Sequence, residues 1–151
     1  MTDTWRRADG YVISTDKARI DLDLVHGFLK AAYWSENVPL DVVRRSIAGS
    51  FCFSAFDPDG AQAGFGRVIT DFATFAYLSD ISVLEAYRGK GLAKWMVTLM
   101  LDHPDLQGLR RWMLGTRDAQ ALYRGFGFED LPAGRMMGRR GLPEGRYPSA
   151  P

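Results

Sequence analysis

The chain has 151 residues, 46% hydrophobic and 25% charged, with 19 lysines and arginines against 18 aspartates and glutamates. A single domain of this length buries roughly two thirds of its unfolded surface and needs no structural metal, and a net charge of +1 gives no global field to gather nucleic acid or an anionic membrane. One cysteine, Cys52, excludes an internal disulfide and fits a reducing compartment; with no apolar run near the ~18 residues of a membrane span and no apolar leader in the first residues, a cytoplasmic protein is expected.

Tyr11 to Thr15 reads as a short strand. Leu24, Val25, Phe28, Leu29 and Ala32 then recur at helical spacing, with Asp21 or Asp23 as cap. Pro39 opens a second helix through Val42, Val43 and Ile47, which stops at Gly49. Phe51 to Phe56 reads as a strand, Asp57-Pro58-Asp59-Gly60 as a turn, Ala63 to Ile69 as the returning strand and Thr74 to Val83 as a third, an antiparallel meander. The period then changes. Leu92, Trp95, Met96, Leu99 and Met100 form one apolar helical face, ended by His103-Pro104. Arg110 to Leu114 reads as a strand, Ala119 to Arg124 as a short helix, and Phe126 to Phe128 and Arg135 to Arg139 as two more strands. This order predicts a mixed α/β sheet with helices on both faces, and a right-handed crossover from the third meander strand to a parallel neighbour.

The chemistry-bearing stretch is Arg88-Gly89-Lys90-Gly91-Leu92-Ala93, between a strand and the long helix. The first amides of a helix lack internal acceptors, and the dipole places partial positive charge there. Two glycines let the backbone approach a bulky anion, and Arg88 and Lys90 add charge. The pattern suits a diphosphate. The dipole contributes about 0.3–1 kcal/mol at an exposed end, less than several charge-assisted hydrogen bonds at about 1.5–3 kcal/mol each. A Walker loop would need a hydroxyl residue after Lys90, where Gly91 stands, and the dinucleotide fingerprint would need glycine where Lys94 stands.

The run Leu78 to Ala93 resembles the signature segment of the GCN5-related N-acetyltransferases, the GNAT family. Arg88, Gly91 and Ala93 match its R/Q-x-x-G-x-G/A pattern, and Ala121-Leu122-Tyr123-Arg124-Gly125-Phe126 resembles its second signature. The resemblance covers Tyr11 to Phe128, and a single acetyltransferase domain over 1–138 with a tail over 139–151 is expected.

The resemblance implies the acyl-CoA N-acyltransferase fold, acetyl-CoA as co-substrate, no metal, and direct attack by a primary amine on the thioester. The amine is expected on a small molecule, with a peptide or protein amine as the other option. The segment Ile81-Ser82-Val83 is expected to receive the pantetheine arm as an added strand, through free backbone groups of Ile81 and Val83. The amides from Gly89 through Lys90, Gly91 and Leu92 to Ala93, with Arg88, would hold the diphosphate. Thr116 stands where many members carry an asparagine that meets the pantetheine. By its match to the motif, Tyr123 is the candidate general acid for the leaving thiolate. Asp80 is a candidate base, with Glu85, Asp71 and a water chain as alternatives. Tyr33, Trp34 and Arg67 are candidates for the acceptor side.

Other readings remain beside these. On composition alone Tyr123 reads as a packing residue, and only the motif makes it an acid; Trp34 reads equally as a core or interface aromatic, and Arg67 as part of a solvated strand face. His26 and His103 are too isolated for a metal site and read as surface or cap residues. A CoA-binding sensor would keep the fold without catalysis. Arg124-Gly125-Phe126-Gly127-Phe128 matches the opening of an RNA-recognition signature, but Glu129 and Leu131 break it. No nucleic-acid or membrane partner is expected, and an open sheet edge near the C-terminus would permit a homodimer.

Overall fold

The structure, a computed structural model, describes residues 2–149. Its strands are β1 (Thr4–Arg6), β2 (Val12–Ser14), β3 (Phe51–Phe56), β4 (Gln62–Thr70), β5 (Phe75–Val83) and β6 (Arg111–Leu114). Its helices are α1 (Leu22–Leu29), α2 (Leu40–Ala48), α3 (Leu92–Asp102) and α4 (Gln120–Arg124). The six strands form one sheet in chain order; every neighbouring pair is antiparallel except β5 and β6, which run parallel through the α3 crossover.

Local chemistry sets most boundaries. The Asp21 carboxylate accepts from the Leu24 amide at 3.0 Å and starts α1. That helix stops at Leu29, three residues before the Ala32 that its periodicity reaches. The Ala31 and Ala32 amides bond three residues back, to Phe28 and Leu29. The Ser35 hydroxyl also takes the Leu29 carbonyl at 2.6 Å. Side chains alternate across the sheet and build two cores. On one face Ile13, Phe53, Val68 and Leu78 pack under Met96, Val97 and Met100 of α3. On the other, Cys52 and Phe65 pack under Val25 and Leu29 of α1 and Val43 of α2. Each such fully buried side chain contributes about 1.5–3 kcal/mol.

Three features depart from the sequence reading. β1 is an extra edge strand, held by Trp5 stacked on Phe53 at 6.0 Å and by His103 bonded to Asp3 at 3.1 Å. His103 is therefore buried, although it also accepts from the Asp105 amide as a cap. Phe126 to Phe128 is not a strand. The Phe126 and Phe128 amides both donate to the Tyr123 carbonyl, and Gly127 has φ +87°, so the segment is a turn closing α4. Arg135 to Arg139 forms no strand either; it has no ladder partner, and Met136 and Met137 stand exposed. β6 is thus the last strand of the sheet among the described residues.

Candidate active site

The loop into α3 presents donors without acceptors. Gly91 caps the helix at φ +73° and no side chain bonds the first turn. Among the described residues, the amides of Gly89, Lys90, Gly91, Leu92 and Ala93 donate to no backbone acceptor. Arg88, Gly89, Lys90 and Gly91 are exposed. A Cβ on Gly89 would meet nothing within 4 Å, and one on Gly91 only the Arg7 guanidinium at 3.9 Å. The bend is therefore open to solvent and lined by N–H groups, as an anion needs. Arg88 turns back and donates through Nε to the Val83 carbonyl at 3.2 Å.

Beside this loop the sheet splits. The β5–β6 ladder ends at the Leu78–Leu114 pair, while β5 continues to Val83. Opposite β4 the register shifts between Phe65 and Arg67, so that Gly66 faces the two residues Asp80 and Ile81. Asp80 is the extra residue of this bulge, at φ +57°. Beyond it, the Leu84 amide donates to the Ala63 carbonyl. By the alternation of an antiparallel ladder, Ser82 then turns its backbone groups to β4, while Ile81 and Val83 turn theirs to the unpaired side.

A cavity of about 160 Å³ occupies the split, lined among others by Asp80, Ile81, Thr116 and Tyr123 and walled by Tyr33 and Trp34. Asp80 is fixed from two sides: Arg67 Nε donates to its Oδ2 at 2.6 Å and Trp34 Nε1 to its Oδ1 at 2.9 Å. Arg67 is itself tied to the Ser50 hydroxyl at 3.0 Å. Tyr33 is fixed by the Arg117 amide, which donates to its hydroxyl at 3.0 Å, and by the Arg117 guanidinium 3.8 Å from its ring centre. Tyr123 is buried, and desolvation, with a smaller effect of Tyr33, raises its hydroxyl above the ordinary pKa of 10.0. A second cavity of about 320 Å³ shares Leu114, Gly115, Thr116 and Tyr123 with the first.

The candidates divide accordingly. Asp80, Ile81, Thr116, Tyr123, Tyr33 and Trp34 converge on one cavity; Ser82 and Val83 continue β5 toward the loop of Arg88 to Ala93. Thr116 uses its Oγ1 to accept from the Ala119 amide at 3.0 Å, at the entry to α4. Arg67 stands behind Asp80 and does not line the cavity. Asp71 lies in the β4–β5 turn, where the Thr74 amide and hydroxyl, with the Ala73 and Phe75 amides, hold its carboxyl well below the usual range. Cys52 is buried and its thiol is pushed up to about 11. Sequence reasoning missed Ser50, Arg117 and Arg7. Arg7 packs on Tyr11 and Trp95 beside Gly91. Only its membership of a hairpin with β2 brings it there, and a three-residue strand leaves no periodic signal.

A sheet opened between two parallel strands, faced by an uncapped helix, is the fold of an acyl-CoA N-acyltransferase. The chain belongs to the acetyltransferase (GNAT) family, whose model matches residues 22–128. A provisionally named acetyltransferase of Gibberella zeae is 31% identical over 83% of this chain and 82% of its own. The crystal structure of a GNAT-family protein of Xanthomonas campestris pv. campestris, also provisionally named an acetyltransferase, is 42% identical with a TM-score of 0.83, over 88% of this chain and 94% of that one. AAC(6')-Iy, solved with the bisubstrate analogue CoA-S-monomethyl-acetylneamine, has the same fold at 18% identity and a TM-score of 0.62, covering 93% and 99% of the two chains. The family uses acetyl-CoA. Among the described residues no helix is long and apolar enough to cross a membrane, and no cluster of three or more His, Cys, Asp or Glu could hold a metal.

Proposed function

We infer that the protein is an acetyl-CoA-dependent N-acetyltransferase that passes the acetyl group directly to a primary amine of a small molecule. The observation that carries this is two sets of unpaired donors, on the open side of Ile81 and Val83 and at the amides of Gly89 to Ala93, with a cavity lined by Asp80 and Tyr123 at the Ile81 end. When bound, acetyl-CoA supplies the activated acyl group. The chain's own residues do the rest. The amides of Gly89 to Ala93, with Arg88 and Lys90 nearby, bind the diphosphate. Ile81 and the Val83 amide pair with the pantetheine as an edge strand would, the Val83 carbonyl being held by Arg88, and Ser82 keeps β5 tied to β4. Thr116 lines the same channel.

Free alkylamines have pKa values near ~10 and must lose a proton to attack. Asp80 takes that proton, directly or through water, with the lone pairs that Arg67 and Trp34 leave free. Tyr123 stays protonated because burial disfavours its charged form, and it donates to the departing thiolate. Tyr33 and Trp34 wall the acceptor side and Arg67 supports Asp80 from behind. Purified protein incubated with acetyl-CoA and a panel of primary amines should release free thiol in step with acetylated product. Saturable CoA binding without thiol release for any amine would make it a CoA sensor.

A further inference from the structure

The charged side chains that line the cavity in the sheet are Asp80 and Asp118, both acidic. Its walls include four aromatic rings, Tyr33, Trp34, Tyr77 and Tyr123; aromatic faces attract cations, and one face of Tyr33 already carries the Arg117 guanidinium. The two nearby arginines stand outside the lining, Arg67 in an ion pair and Arg117 in none among the described residues. Arg67 is bonded to Asp80 and Ser50 from behind, and Arg117 is stacked on Tyr33; neither lines the cavity. Asp80 has two occupied lone pairs of about four that a carboxylate offers. Asp118 is exposed and enters no ion pair among the described residues. Asp80 is already paired with Arg67, so the uncompensated charge among the lining side chains is that of Asp118, and no lining base would meet a phosphate or carboxylate on the acceptor. A second ammonium would find Asp118 free.

We propose that the acceptor is an aliphatic amine carrying a second positive charge, a diamine or longer polyamine, with one amino group at Asp80 and the other cation toward Asp118. This rests on the acetyltransferase reading and narrows its acceptor to one class. Asp80 is the group that touches the reacting amine. Arg67 and Trp34 are positioning residues that hold the Asp80 carboxylate in one orientation, and Ser50 holds Arg67.

Three probes of similar length and opposite tails test the assignment: 1,4-diaminobutane, n-butylamine and 4-aminobutanoate. Their binding is read from the Trp34 indole N–H resonance with CoA present, so that turnover is not required, and kcat/KM is measured where thiol is released. The diamine should bind most tightly and 4-aminobutanoate least, with about two- to fivefold between successive probes, as an exposed ion pair gives. Asp118→Asn, a change at an exposed position, should remove the advantage of the diamine over n-butylamine. Arg67→Gln should raise KM for all amines with KM for acetyl-CoA unchanged, and Arg67→Lys should restore part of the loss. Equal binding of the diamine and 4-aminobutanoate, an Asp118→Asn protein that still prefers the diamine, or no indole response to the diamine would each overturn the proposal. A wild-type protein that fails to bind CoA in the same titration sinks the acetyltransferase reading instead.

Discussion

Replacing Gly91 separates the two contributions on which diphosphate binding rests. Gly91 sits at φ +73°, and the nearest heavy atom to a Cβ there is Arg7 Nη1 at 3.9 Å. A side chain therefore fits in space but strains the backbone, by about 1–2 kcal/mol. Gly91→Gln adds bulk and strain without charge. Gly91→Glu adds a carboxylate beside the bound diphosphate. Two unit charges ~5 Å apart interact by about 3 kcal/mol at an effective dielectric constant near 20, which is roughly a hundredfold in affinity. Arg7 cannot fully offset this, because two of its nitrogens already hold Asp9, at 2.9 and 2.6 Å.

The assay is calorimetric titration with CoA at low ionic strength, with a thermal melt of each variant to show that it is folded. Both variants should melt below wild type by similar amounts. Gly91→Glu should bind CoA about a hundredfold more weakly than Gly91→Gln, and added salt should narrow the gap. A folded Gly91→Glu protein within about threefold of wild type, or two variants with the same affinity, would refute a diphosphate site at the front of α3.

Tyr123→Phe should lower kcat by about 10²–10⁴, the usual range for a positioned proton donor, with CoA affinity unchanged. Because Tyr123 is held above its ordinary pKa of 10.0, wild-type kcat should show no alkaline loss up to about pH 9; such a loss, or an unchanged rate in the variant, removes Tyr123 from the role. Asp71→Ala should melt below wild type at pH 7. The folded state depresses the Asp71 carboxyl, so its stabilisation is full above the unfolded value near pH 4 and fades as pH falls further. The gap between the two melting temperatures should shrink in acid, and a constant gap would contradict that. Gly66→Ala would place a Cβ 2.7 Å from Ile81 Cδ1 and 2.9 Å from Met96 Sδ and Met100 Cε. Overpacking of this kind costs about 1–3 kcal/mol, read in a denaturant titration.

What the sequence discloses follows the range of the interaction. The meander and α3 are written in local periods, and Pro39, Gly49 and Asp57–Gly60 mark boundaries that need no tertiary partner. The resemblance points to Arg88–Ala93 and Tyr123 because those positions carry fixed residue types. Other features depend on distant partners. Trp34 meets Asp80 across 46 residues, and β1 exists because Trp5 finds Phe53 and Asp3 finds His103. Phe126 and Phe128 have the composition of a strand, but the Tyr123 carbonyl captures both amides before any strand can. Arg67 reads from sequence as a free charge, whereas in the fold it is spent on Asp80 and Ser50.

The bulge at Asp80 joins the two halves of the site. One additional residue on β5, opposite a glycine that leaves room for Ile81 and the methionines of α3, reverses which residues face β4. Before it, the ladder to β6 is intact through Leu78. After it, Ile81 and Val83 lie on the unpaired side, where a pantetheine arm can bond. The same inserted residue takes a positive φ, a conformation Asp tolerates better than most residues, and its carboxylate is the one that Arg67 and Trp34 hold. In the reaction proposed above, the opening for the acyl donor and the anchor for the amine both stem from this one backbone irregularity. Deleting Asp80 would remove the extra residue and the carboxylate together, whereas Asp80→Asn keeps the bulge and should lower kcat with CoA affinity unchanged; weakened CoA binding in a folded Asp80→Asn protein would contradict this division of roles.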